Sequence, residues 1–254
     1  SWGRLAAVNI NLVREKALPK KEIEPSKEIG LDEIIKQRKT FLEGYQNKKY
    51  ADKYEEFVRN VQREEKKIVK EDFLSQAVAK YYFKLLAYKD EFEVARLLTS
   101  KEFKGILDQQ IEGDYKLEYS LAPPVFGGRD SKTGRYPKRQ LPSIFFFFFN
   151  VLKHLKFLRG SPLNFFGWSA HRKLERKLID DYEETIGKVL KTLSRDKYHI
   201  AVDIASIPEF IRGFDVVKEQ NLETALLRQE ELFNLYNSDF VPAEEIETKK
   251  IASN

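Results

Sequence analysis

The chain has no cysteine and no methionine in 254 residues. Without thiols it cannot form disulfides, supply a thiolate nucleophile, hold an iron–sulfur cluster or build a cysteine zinc site. Any such chemistry must lie on another segment or another chain. The opening stretch, SWGRLAAVNINLVREK, has neither the charged n-region nor the long apolar h-region of a signal peptide. It is expected to be an internal start, which accounts for only part of the missing methionine.

Long apolar runs are also missing. The longest is Ile144 to Phe149, closed by Asn150, well short of the roughly 18–20 residues that span a bilayer. A chain with no membrane partner and a cytoplasmic location is expected. There is no GxGxxG, GxxxxGK[ST], GxSxG or HExxH pattern. His154, His171 and His199 are the only histidines, and none has another at i+4. Asp180, Asp181, Glu183 and Glu184 fall at neighbouring helical positions that point to different sides, which suits a solvated face better than a cation site.

What is present reads as a helical protein. With 42% hydrophobic and 33% charged residues, the composition is that of a soluble globular chain long enough for a sizeable core. Leu31, Ile34, Ile35, Phe41, Leu42 and Tyr45 recur at helical spacing, and Tyr50, Tyr54, Phe57, Val58 and Val61 repeat the pattern after a break. Leu74, Val78, Tyr81, Leu85 and Tyr88 form a third stripe.

The acids in FKLLAYKDEFEVARLLTS (83–100) are read as helix starters. Asp90 with Glu93, and Thr99 with Glu102, each fit N-cap and N3, and Leu98 with Phe103 fits a hydrophobic staple across the second cap. Tyr115, Leu117, Tyr119 and Leu121 alternate as in a strand, and the Gly- and Pro-containing stretch that follows predicts a small inserted hairpin over about 114–141. The helix SIFFFFFNVLKHLKFLRG comes next, with Phe145 to Phe149 expected inside. Ser169 opens a long helix in which Glu184 and Lys188 form an i, i+4 pair. Two more helices follow, around Ile200 to Ile204 and from Asp215 to Tyr236, with Pro208 suited to a first turn and Gly213 to the bend between them. The expected fold class is mainly α, with roughly eight helices and one small β-hairpin. The helical domain is expected over 17–240, with a loose tail over 241–254.

Charge is uneven. From Arg129 to Lys173 there are ten bases against the single acid Asp130, a net +9, whereas the whole chain is +5 and the remainder therefore −4. Such a segment suits nucleic acid, anionic lipid, a phosphorylated cofactor tail or an acidic protein, or is a solubilising face. The candidate contacts to an anionic partner are Arg129, Lys132, Arg135, Lys138, Arg139, Lys153, Lys156 and Arg159. Burial of the aromatics beside them would leave no stacking platform for bases, which argues against nucleic acid.

Four segments carry a resemblance: FKLLAYKDEFEVARLLT (83–99), GDYKLEYSLAPP (113–124), RGSPLNFFGW with HRKLERKLIDDYEE (159–184) and IPEFIRGFDVVKEQN (207–221). In this order they resemble the C-terminal domain of the fused indolepyruvate ferredoxin oxidoreductases. SWGRLAAVN resembles the end of the oxidoreductase gamma domain that precedes it, which would make 1–16 the tail of that domain. The resemblance implies an enzyme that oxidatively decarboxylates aryl pyruvates to acyl-CoA using thiamine diphosphate, magnesium, coenzyme A and an iron–sulfur acceptor. The family's GDG-and-Asn thiamine motif is absent, since Gly113-Asp114 is followed by Tyr115. The cofactors are thus expected elsewhere in the enzyme, with no catalytic, cofactor or metal residue in this chain. The implied role is assembly or docking, with the enzyme's catalytic domains, ferredoxin and further copies as expected partners. A stand-alone basic helical module for nucleic acid is the alternative.

Overall fold

The computed structural model describes residues 29–113, 117–121, 139–141, 145–213 and 215–238. The expected tails, 1–16 and 241–254, lie outside these residues, as does 17–28. The helical unit begins at Leu31, and the described residues form nine α-helices with short 3-10 turns. The fold is mainly α.

Helix α1 (Leu31–Tyr45) buries Leu31, Ile35, Leu42 and Tyr45 and carries Asp32 and Glu33 in its first turn, where acids offset the helix dipole. Helix α2 (Lys48–Glu65) starts at Asn47, whose side chain accepts from the Tyr50 amide at 2.9 Å. It buries Ala51, Tyr54, Val58, Val61 and Glu65 along one face. Helix α3 (Phe73–Leu86) is central and packs on α1 and α2. Helices α4 (Glu91–Leu98) and α5 (Lys101–Gln110) follow.

Asp90 caps α4 as expected, accepting from the Glu93 amide at 2.9 Å. The cap of α5 is Ser100, one residue beyond the expected Thr99, and accepts from the Phe103 amide at 3.1 Å. Thr99 is excluded because its hydroxyl donates back to the Ala95 carbonyl, which closes α4 instead.

Strands β1 (Tyr119–Leu121) and β2 (Arg139–Leu141) pair antiparallel, with Ser120 opposite Gln140. The described residues support no more β-structure than this three-residue ladder. The rest of the expected hairpin, including 122–138, lies outside them.

Helix α6 (Phe145–Leu152) gives way to a 3-10 segment, Lys153–Leu158, rather than continuing to Gly160. A second 3-10 turn, Phe165–Trp168, leads through the Ser169 cap into α7 (Ala170–Lys191). Helices α8 (Tyr198–Ser206) and α9 (Asp215–Asn237) complete the unit. Gly213, with φ +92°, makes the bend before α9, and a Cβ there would stand 2.7 Å from Val217 Cγ1.

The main core joins α1, α2, α3, α7, α8 and α9. Tyrosines stitch it together: the hydroxyls of Tyr45, Tyr54, Tyr182 and Tyr236 donate to the carbonyls of Tyr88, Ala79, Ala205 and Val189, all at 2.8–3.0 Å. Each ring adds apolar burial while its polar tip closes a contact to a neighbouring segment. A smaller cluster unites Ala95 of α4, Tyr119 of β1 and Phe149 of α6. Phe149 alone is buried in the run of five phenylalanines, and Phe146, Phe147 and Phe148 are exposed, which corrects the expected burial. Consecutive residues on a helix point in different directions, so five in a row cannot all face one core.

Candidate functional site

The segment 153–176 straps the junction of α1, α3 and α4. Arg159 is its anchor, and local backbone geometry places it there. Lys153–Leu158 winds as a tight 3-10 turn, and Gly160, with φ +81°, reverses the chain just after Arg159. The guanidinium then meets Asp90 through Nε–Oδ2 at 2.6 Å and Nη2–Oδ1 at 2.8 Å. Its Nη1 donates to the Tyr45 carbonyl at 2.5 Å and to Gln46 Oε1 at 2.8 Å. The same group lies 3.7 Å from the Tyr45 ring centroid. The two side chains of the pair are only 6% and 4% exposed. Burial is the largest single influence on Arg159 and works against its charge, but the Asp90 hydrogen bond and the fields of Tyr45, Asp90 and Tyr88 together outweigh it and raise the pKa.

Lys156 donates to the Gly44 carbonyl at 2.7 Å and the Glu43 carbonyl at 3.3 Å, capping the last turn of α1 as cations do at helix C-termini. Burial, reinforced by nearby Arg159, lowers its pKa. Arg172 of α7 reaches Glu91 at 3.2 Å and Arg176 reaches the Gly167 carbonyl at 2.8 Å. At Gly167 a Cβ would stand 2.9 Å from Asn164 Nδ2, so a larger residue there would displace the Asn164 side chain. Farther along α7, buried Glu175 takes Lys218 of α9 on both oxygens at 2.6 Å, with His171 Nε2 at 3.4 Å.

Two of the expected anionic-partner contacts are engaged within the fold, Arg159 with Asp90 and Lys156 with the end of α1. Lys153 bonds Asn150 Oδ1 at 2.8 Å from a half-buried position. Arg139 pairs through its backbone with Leu121. Arg129, Lys132, Arg135 and Lys138 lie outside the described residues. The acids of α7 diverge as expected: Glu184 bonds Lys188 at 2.7 Å, while Glu183 takes Tyr82 at 2.5 Å and Lys53 at 2.6 Å. Among the described residues, no group of three or more His, Asp or Glu side chains is placed to hold a metal ion.

Sequence reasoning missed two features. One is Glu65, fully buried, which accepts from the Leu74 amide (2.8 Å), the Ser75 amide (3.1 Å), the Ser75 hydroxyl and the Tyr198 hydroxyl (2.6 Å). It does for α3 what Asp72, at the N-cap position, does not. A Glu on the apolar face of α2, in register with Val58 and Val61, was the available signal. The other is the exposed aromatic surface of 146–168. Phe92 of α4 meets Phe166 edge-on at 5.8 Å, and Ala95 packs with Phe149, so α4 anchors both α6 and the turn before α7. Phe147, Phe157, Phe165 and Trp168 remain exposed.

Asp90 and Arg159, joined by two hydrogen bonds and almost wholly buried, form a rigid support. Residues 31–231 match the family of unknown function DUF6537, and the chain belongs to that family. No curated protein and no solved structure matches the chain.

Proposed function

We propose that this member of the family is an accessory assembly domain of a fused indolepyruvate-type 2-oxoacid:ferredoxin oxidoreductase. Thiamine diphosphate, magnesium and the iron–sulfur cluster would reside in the joined catalytic domains, which would convert aryl pyruvates to acyl-CoA. All four segments that carry the resemblance fall within the family match. One observation supports an accessory role above the others. Several charged side chains of those segments are committed to framework contacts, Arg159 to Asp90, Arg172 to Glu91 and Lys218 to Glu175, while Phe165 and Trp168 are left facing outward. The bases of 129–139 remain the candidates for steering an acidic ferredoxin.

The test is kinetic, on the complete oxidoreductase containing this domain. Changing Lys132, Arg135, Lys138 and Arg139 to Glu should raise the Michaelis constant for ferredoxin several-fold at low salt, and less as salt screens the charges. Unchanged ferredoxin kinetics would remove the docking role. Turnover of indolepyruvate by this chain alone would remove the accessory reading. A gel shift by the isolated chain with a steep salt slope would replace it with the nucleic-acid reading.

A further inference from the structure

The main core draws on α1, α2, α3, α7, α8 and α9, and among the described residues no hydrophobic side chain of 89–173 belongs to it. Helices α4 and α6 instead close on the separate, much smaller cluster of Ala95, Tyr119 and Phe149. Phe92 of α4 meets Phe166 of the second 3-10 turn. These elements form a lobe beside the core. The chain enters the lobe just before α4 and leaves it just before α7. Glu91 at the entry bonds Arg172 at the exit, 3.2 Å apart, so the two crossings adjoin, which is the geometry of a hinge.

Three cations of the lobe meet the end of α1. Lys156 donates to the carbonyls of Glu43 and Gly44, and Arg159 to the Tyr45 carbonyl and Gln46. The guanidinium groups of Arg96 and Arg159 lie 5.1 and 3.7 Å from the ring centroids of Phe41 and Tyr45. Helix α1 has no base in its own last turn, so the lobe supplies the positive charge that suits its terminal carbonyls and dipole. These ties are directional and few, whereas apolar burial, which scales with area, is concentrated in the main core. A region with few buried apolar contacts opens at lower free energy than the core it rests on. We infer that α4, α6 and the 3-10 segments of 153–168 form a hinged lobe that opens as one unit while the main core stays folded, with Arg96, Lys156 and Arg159 as its latch on α1. The inference goes beyond the accessory reading above and needs none of the oxidoreductase chemistry.

Native-state hydrogen exchange of the chain in low urea, read amide by amide, tests it. Protection in α4 and α6 should fall at least about 10-fold below that in α2, α3 and α7. The α4 and α6 amides should also share one urea slope, smaller than that of the core and above zero. Ile186→Val, wholly inside the main core, should speed exchange in α2, α3 and α7 about 2- to 10-fold. It should leave α4 and α6 unchanged, because the open form keeps the core folded. Arg159→Lys weakens the closed form itself, so both groups of amides should quicken together, about 30-fold. Equal protection everywhere with an equal response to Ile186→Val would show a single cooperative unit and overturn the inference. So would different urea slopes for α4 and α6, exchange there by fraying with no urea dependence, or α4 and α6 amides that do not respond to Arg159→Lys.

Discussion

Arg159 and Asp90, 69 residues apart in sequence, meet as a bidentate pair at 2.6 and 2.8 Å, with both side chains almost wholly buried. Asp90 also starts α4 through the Glu93 amide. A single carboxylate therefore fixes a helix start and the strap that crosses it.

Removing one partner leaves the other charged and buried, a loss of about 3–5 kcal/mol. Arg159→Met should lower unfolding free energy by that amount in urea titrations. Arg159→Lys keeps the charge but loses the fork, and should cost about 2 kcal/mol. Asp90→Asn with Arg159→Met should cost clearly less than the sum of the single changes. Additive losses would show that the two groups are not coupled.

Glu65 predicts a second weak point. Its oxygens receive four donors from α3 and α8. Glu65→Gln turns an amide group toward those donors and should cost about 2–3 kcal/mol. Tyr198→Phe should cost about 1 kcal/mol. Hydrogen exchange at Leu74 and Ser75 should quicken in the Gln variant. Retained protection there would mean that Glu65 does not secure the start of α3.

Alkaline pH should unfold the protein cooperatively. Burial raises the pKa of Tyr45, Tyr50, Tyr54, Tyr82 and Tyr182 above the ordinary phenol value. A raised folded-state pKa contributes stability that is intact below the unfolded value, near 10, and is lost as pH rises above it. Each such phenol should remove about 1.4 kcal/mol per pH unit in that window. Absorbance at 295 nm and helical circular dichroism should change together. Gradual phenol ionisation before any loss of helix would contradict this linkage.

Much of the framework was legible from local rules. Hydrophobic period marked α1, α2, α3 and α7, and the Asp90 and Ser169 caps followed from residue type at helix starts. The cap of α5 slipped by one residue because Thr99 and Ser100 compete for the position, and the structure gives Thr99 to the preceding helix. The candidate contacts were less legible. A run of bases reads the same whether its members face water or, like Lys156 and Arg159, cap a helix and bind a carboxylate 69 residues away.

By itself the sequence determined a helical, thiol-free chain with its helix starts and a concentration of bases, because propensity, capping and charge act between near neighbours. Only the tertiary structure decided that Arg159 belongs to Asp90, that tyrosine hydroxyls bind carbonyls of neighbouring segments, and that four phenylalanines of 146–157 face outward. Burial and long-range pairing depend on which faces meet when helices pack, and no local pattern encodes that meeting.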